Sequence, residues 1–262
     1  MTDQPLHRLY LHYRELPMSL RVLYTGALII LGMGYMFAIV YLFGSHSGRD
    51  GNPMTMSVED IVIAYSGSSE GTRLETALKG PMAGMLPGSE IGQILGWVQR
   101  GADKSEYEKE VRPILEKRCN ACHDGSNPHL PNLDGYENLM EVVVMDTGAD
   151  VFTLVRVSHI HLFGLTFIFF IVGLVFSHAY VRPVWLKCTV VTTPFVCIAL
   201  DISSWYFTKL FSPMAWVVLV SGAFMGISFA FMWVISMYQM WFGGVPRMVA
   251  QRDAELRKSV VG

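Results

Sequence analysis

The stretch Val155–Phe176, VRVSHIHLFGLTFIFFIVGLVF, decides the fold because it is an apolar run long enough to cross a membrane. A transmembrane α-helix needs about 20 predominantly apolar residues to cross about 30 Å of hydrocarbon. Similar runs lie on both sides of it, at residues 22–42, 184–207 and 214–242. The run 184–207 is the least apolar, since it contains Lys187, Pro194 and Asp201. The chain is 52% hydrophobic and only 16% charged, so we predict four transmembrane helices.

The Lys and Arg residues in the short flanks of these runs predict the orientation of the chain. They lie in the two tails and in the connection between the second and third runs: Arg8, Arg14, Arg21, Arg182, Lys187, Arg247, Arg252, Arg257 and Lys258. Four spans put these three segments on one side, which is then the cytoplasm. The first run follows a polar tail, and no small-residue cleavage site follows it, so we interpret it as a retained signal anchor.

The predicted fold class is mainly α, a four-transmembrane-helix bundle with an extracytoplasmic α-helical domain. In chain order we predict a cytoplasmic tail (1–21), a span (22–43), an exported domain (44–154), three more spans (155–178, 184–207 and 213–242) and a second cytoplasmic tail (243–262). The formal net charge of -2 is small and no basic stripe is present, so nucleic acid is excluded as a partner.

The exported segment contains Cys119-Asn120-Ala121-Cys122-His123, a C-x-x-C-H pattern. Two thiols at this spacing can form thioethers to one haem, and the adjacent histidine can give an axial nitrogen to the iron. A zinc site would need two further ligands at similar spacing, and the sequence has no second CxxC. A thioredoxin-like dithiol would be expected in a βαβ context, which is absent. The pattern favours one covalent haem c bound by Cys119, Cys122 and His123.

The residues around the motif resemble the cytochrome c family. Residues 107–118, YEKEVRPILEKR, have apolar positions at helical spacing and resemble the N-terminal helix of bacterial cytochrome c domains, which leads into CxxCH. Residues 89–102, SEIGQILGWVQRGA, resemble the C-terminal helix of the same domains. Their order is reversed here. The resemblance covers roughly residues 55–140 and implies a circularly permuted cytochrome c domain between the first two spans.

The resemblance also implies a second axial ligand. In the family, a methionine in the loop before the C-terminal helix gives its thioether sulfur to the iron. The loop 80–87, GPMAGMLP, offers Met82 and Met85, and the usual length of this loop favours Met82. Because the helices are permuted, four other side chains are also candidates for this position, namely Met140, Met145, His159 and His161.

Ionisable residues inside predicted spans are candidate functional sites. His159 and His161 lie at the outer end of the second span, and Asp201 lies towards the outer end of the third. A carboxylate and a histidine at similar depth could accept protons from a quinol, so these three residues form a possible quinone or proton site. A hydrogen-bonded structural pair at the membrane interface is the alternative, and we give it somewhat more weight.

The resemblance implies electron transfer between a membrane donor, a quinol or a partner complex, and a periplasmic or membrane acceptor such as a soluble cytochrome. The protein would be one subunit of a larger respiratory redox complex in the bacterial inner membrane and not an independent enzyme. Its acidic exported segment suits docking of a basic carrier. A haem-based redox or gas sensor, or a regulatory subunit, is the alternative. A structural or assembly subunit is the third.

Overall fold

The computed structural model describes residues 11–52, 54–68, 71–128, 130–247, 249–251 and 254. Its secondary structure is mainly helical, at 70%. Within these ranges no strand occurs, and an isolated antiparallel bridge pairs Thr72 with Met145. The rest of the two tails lies outside the described residues. Four of the basic residues from which the orientation is predicted lie there, namely Arg8, Arg252, Arg257 and Lys258.

The longest connection between successive helices is the one from Arg118 to Tyr136, which contains the CxxCH motif. The helices are α1 (Met18–His46), α2 (Val58–Ser66), α3 (Arg73–Lys79), α4 (Gly88–Gln99), α5 (Lys104–Glu106), α6 (Arg112–Arg118), α7 (Tyr136–Met140), α8 (Val151–Phe176), α9 (Val184–Thr208) and α10 (Ala215–Trp241). A 3-10 turn, Tyr13–Glu15, precedes α1, and another, Ser212–Met214, leads into α10. A π-helical turn, Tyr107–Val111, joins α5 to α6.

Four of these helices, α1, α8, α9 and α10, are long and apolar enough to cross a membrane. The mean hydropathy of their most apolar stretches lies between 1.5 and 2.2, and α9 has the lowest value. The predicted set of four transmembrane helices is therefore confirmed, and the chain is a multi-pass membrane protein.

The chain divides into two compact units. The bundle unit consists of the chain up to Ala38, Val157–Ile202 and the chain from Leu219 onwards. The motif unit consists of Ile39–Arg156 and Ser203–Val218, and it contains the CxxCH sequence.

Within the bundle unit, α1 packs against α10. The rings of Tyr35 and Phe229 stack with their centroids 4.2 Å apart, and Trp233 Nε1 donates to the Leu28 carbonyl at 2.8 Å. A side chain at Gly32 would lie 3.0 Å from Trp233 Nε1, so the absence of one lets the indole approach the helix closely. Only 6% of the most apolar stretch of α1 is buried, which leaves an apolar surface for lipid.

In the motif unit, α4 packs against the π turn that joins α5 to α6. Trp97 of α4 is fully buried, and its ring centroid lies 6.1 Å from that of Tyr107. At the other end of α4, Glu90 pairs with Arg118 of α6 at 2.9 Å. The π turn lies directly before Pro113, whose missing N–H cannot close the helical hydrogen bond to the Lys109 carbonyl. The two segments that resemble cytochrome c helices therefore pack together.

The motif unit also contains a close backbone crossing between residues 65–67 and 146–148. Gly67 and Gly148 have φ angles of +86° and +68°. A Cβ at Gly67 would overlap the carbonyl oxygen of Asp146, and one at Gly148 would overlap that of Tyr65. Glycine is required at both positions, because it alone combines a positive φ with this close approach of two backbones.

Lys209, in the connection after α9, stabilises this crossing. Its Nζ donates to the carbonyl oxygens of Tyr65 at 2.7 Å, Thr147 at 3.0 Å and Ala149 at 2.8 Å. An ammonium group has three donors, so all of them are used here. One side chain thus joins both segments of the crossing to the end of α9.

Candidate functional site

The CxxCH residues occupy a turn at the C-terminal end of α6. The helix ends at Arg118, and Cys119 is its C-cap residue. The backbone N–H groups of Cys122 and His123 both donate to the Cys119 carbonyl, at 3.0 and 2.9 Å. This turn brings both thiols and the imidazole onto one short segment.

The two thiols differ in environment. Cys119 is half-buried and Cys122 is exposed. Burial raises the pKa of the Cys119 thiol, and the nearby Glu90 carboxylate raises it further. The C-terminal end of a helix carries partial negative charge and also disfavours a thiolate. A redox dithiol needs a lowered pKa, so the position of this pair argues against thioredoxin-type exchange.

His123 is held in one orientation and one tautomer. Its Nδ1 lies 2.8 Å from the carbonyl oxygen of Pro131, and the Leu133 N–H donates to the His123 carbonyl at 2.8 Å. A carbonyl oxygen can only accept, so Nδ1 carries the proton and the neutral ring keeps its lone pair on Nε2. Histidines that bind metal have this arrangement, with the second nitrogen donating to a carbonyl or carboxylate.

Next to the motif lies an apolar cluster whose surface is incompletely covered. Its centre contains fully buried side chains such as Ile94, Trp97 and Leu115. Eight half-buried side chains pack against that centre: Met82, Ile91, Leu95, Val98, Cys119, Tyr136, Met140 and Val143. Positions 91, 95 and 98 form a stripe along one side of α4. The cluster thus leaves apolar surface partly exposed beside the Cys119 thiol.

The four methionines that are candidates for the second haem ligand differ in burial. Met82 and Met140 pack against the same cluster as Cys119. Met85 is 65% exposed and Met145 is 60% exposed. Met82 follows α3, where its N–H donates to the Ala77 carbonyl at 2.8 Å, so its backbone is fixed. Two of the four predicted methionines thus share the surroundings of the motif.

The residues of the possible quinone or proton site lie on α8 and α9. His159 and His161 have exposed side chains. The His159 ring contacts Phe163 with a centroid distance of 5.2 Å, and His161 Nδ1 donates to the Val157 carbonyl at 2.9 Å. Asp201 is buried at 8% exposure, with Ser221 Oγ at 3.4 Å from its Oδ1. Both histidine side chains are therefore exposed, whereas Asp201 is buried against Ser221 of α10.

Among the described residues, no three or more His, Cys, Asp or Glu side chains form a cluster that could hold a bare metal ion. The residues that could hold a haem are of another kind, namely Cys119, Cys122 and His123 of the motif with Met82 or Met140 of the neighbouring cluster. The two thiols could form thioether bonds, and an imidazole and a thioether are donors that haem iron accepts.

One contact of the site had no signal in the sequence, namely the hydrogen bond from His123 to the Pro131 carbonyl, eight residues further along the chain. Met140 was a candidate from its place after the motif, but only the fold shows that it packs against the same cluster as Met82, 58 residues away.

A family model described as a transmembrane helical domain matches residues 140–247. The matched region covers less than half of the chain and contains α8, α9 and α10. No curated protein and no solved structure matches the chain. The C-terminal three spans are thus similar to a known transmembrane helical domain, and the CxxCH motif lies outside the match.

Proposed function

We propose that the protein is a membrane-anchored c-type cytochrome with one haem attached through Cys119 and Cys122 and with His123 as an axial ligand. The observation that carries this proposal is the contact of His123 Nδ1 with the Pro131 carbonyl. It leaves Nε2 as an electron-pair donor directly after the CxxC pair. The packing of α4 against the π turn and its ion pair with Arg118 add support, because residues 89–102 and 107–118 resemble the two helices that a cytochrome c domain brings together.

Each residue has a defined task in this proposal. A haem c supplies reversible one-electron transfer at its iron when it is bound. Cys119 and Cys122 attach it, and Pro131 keeps His123 in the binding tautomer. The cluster around Ile91 and Leu95 keeps water away from one side. Met82 is the favoured sixth ligand, and a thioether there suits ordinary electron transfer because it raises the reduction potential.

The charge distribution supports a location and a kind of partner. Residues 47–150 contain 17 Asp and Glu but only 9 Lys and Arg. The rest of the chain contains 5 acidic and 11 basic residues. Basic residues favour the cytoplasmic side of a membrane, so we propose that residues 47–150 face the periplasm of a bacterial inner membrane. An acidic surface steers basic partners towards it, which fits a soluble cytochrome as acceptor and a quinol or membrane subunit as donor.

The first test is the haem content of the full-length protein. It is produced with haem-maturation machinery, denatured and assayed as the pyridine haemochrome. A c-type spectrum that stays with the denatured chain is the expected result. A wild-type chain without covalent haem would sink the proposal, and zinc content would be the next measurement.

We expect Met82→Ala to remove the charge-transfer band of the methionine–iron bond and to let the reduced protein bind carbon monoxide. The reason is that Ala offers no ligand atom, so the sixth position opens. Met85→Ala is the matched control, because this exposed side chain lies in the same loop. Visible spectra of the oxidised and reduced proteins give both readouts. Loss of the band in Met140→Ala, with Met82→Ala unchanged, would assign the ligand to Met140 instead. Carbon monoxide binding by the wild-type protein would favour the sensor.

A further inference from the structure

The bundle unit contains a cleft, lined by apolar as well as polar atoms, at the end where α8 and α10 finish. The cleft has a volume of about 440 Å³, within the range of about 300–1,000 Å³ typical of ligand pockets. Its lining includes His12, Tyr180, Tyr238, Gln239 and Arg247. All of these residues belong to the bundle unit, so the cleft is independent of the CxxCH motif.

Hydrogen bonds join Gln239 to Tyr180 and His12 in the lining of the cleft. Gln239 accepts from the Tyr180 N–H at 2.7 Å and donates to the Tyr180 carbonyl at 2.9 Å. His12 Nε2 lies 3.2 Å from the same amide oxygen. Burial lowers the pKa of His12, an effect larger than the opposing one of its contact with Gln239. Burial thus favours the uncharged form of His12, and Arg247 brings a charged side chain to the lining of the cleft.

Cations neutralise the helix ends beside the cleft. Arg14 donates to the carbonyls of Trp241 at 2.7 Å and Gly243 at 2.9 Å, and Arg21 donates to the Met240 carbonyl at 2.6 Å. The C-terminal end of a helix otherwise repels anions. Because two guanidinium groups cap the end of α10, an anion can approach it.

Positive charge remains in excess after this capping. In the described part of the bundle unit the acidic residues are Glu15 and Asp201, and the basic residues are Arg14, Arg21, Arg182, Lys187 and Arg247. Glu15 accepts from the His12 N–H at 2.7 Å. Arg247 forms no ion pair with any described residue. A cleft with one uncompensated guanidinium and a phenol is suited to an anion with hydrogen-bond acceptors.

Exposed aromatic residues indicate that this end of α10 lies at the membrane surface. Tyr238 is 57% exposed and Phe242 is 78% exposed, and both lie at the end of a helix long enough to span the bilayer. Aromatic side chains at such ends mark the level of the lipid headgroups. We propose that the cleft binds the phosphate headgroup of an anionic phospholipid, with Arg247 as the main charged contact.

Native mass spectrometry of the full-length protein in detergent tests this proposal. The protein is mixed with equal amounts of phosphatidylglycerol and phosphatidylcholine, which share a phosphate but differ in net charge. We expect preferential retention of phosphatidylglycerol by the wild type. A basic residue near a membrane surface contributes about 1 kcal/mol to binding of anionic lipid, so Arg247→Gln should lower the preference about fivefold. Arg247→Lys should keep most of it.

Arg182→Gln is the matched control, because it removes the same charge from the bundle unit at an exposed position outside the cleft lining. It should leave the preference unchanged. Equal losses in Arg182→Gln and Arg247→Gln would overturn the proposal in favour of general surface attraction. Displacement of phosphatidylglycerol by millimolar inorganic phosphate would contradict lipid binding and would show that the cleft binds a free anion. None of these outcomes depends on haem.

Discussion

The double variant Cys119→Ser/Cys122→Ser should contain no covalently attached haem. A serine hydroxyl does not form the thioether bond that a cysteine thiol forms with a haem vinyl group, so both attachment points are lost at once. The expected change is complete loss of the haem signal from the denatured chain, measured by haem staining of a denaturing gel and by the pyridine haemochrome. The amount of protein in the membrane fraction is measured beside it.

Cys188→Ser is the control for this prediction. Cys188 is exposed on α9 and belongs to the bundle unit, so its loss should leave haem content unchanged. A double variant that still retained haem after denaturation would contradict the assignment of Cys119 and Cys122. Loss of the signal in Cys188→Ser would point to a general defect in maturation.

Gly148→Ala should prevent stable folding of the motif unit, and Gly67→Ala should do the same. Each change adds a methyl group that overlaps a backbone carbonyl oxygen at a positive φ. Backbone atoms cannot move aside as a flexible side chain can. The expected loss in the free energy of unfolding is about 4 kcal/mol or more, at the upper end for single substitutions. Thermal unfolding and resistance to limited proteolysis of the detergent-solubilised protein measure it.

Two other glycines distinguish backbone strain from steric overlap as the cause of this destabilisation. Gly51 has a φ of +99°, but a Cβ added there would have no neighbour within 4 Å. A Cβ added at Gly84 would also have no neighbour within 4 Å, and Gly84 does not have a positive φ. Gly51→Ala should cost about 1 kcal/mol for backbone strain alone, and Gly84→Ala should cost almost nothing. A stable Gly148→Ala protein would show that the two backbone segments are not in close contact.

The transmembrane helices could be predicted because hydropathy is a local property of the chain. Every span has enough apolar residues in sequence to cross the bilayer without help from tertiary contacts. The helices α4 and α6 were predictable for a similar reason, since their apolar positions recur at helical spacing. Lys187 and Asp201 made the third span look weak, and α9 indeed has the lowest hydropathy of the four.

The contacts that shape the site are not local, and the sequence carries no sign of them. Nothing distinguishes Gly67 and Gly148 in sequence from Gly84, because their role arises only where distant backbones cross. The carbonyl that orients His123 comes from Pro131 across a loop without regular structure. The loop length favoured Met82 over Met85 in the sequence, but their difference in burial depends on the packing around α3 and α4. The cytochrome c assignment itself stays a proposal.

The crossing of residues 65–67 with 146–148 affects the order in which the motif unit can fold during biosynthesis. It closes a loop from Gly67 to Gly148, and the CxxCH motif lies inside that loop. In the proposed topology the loop cannot close until translocation has delivered Gly148, immediately ahead of α8. At about 5–20 residues per second, a ribosome needs roughly 1–5 s to make the chain between His123 and Gly148. In the proposed cytochrome, the nascent chain would present both thiols to haem-maturation enzymes during that interval, before tertiary structure restricts access.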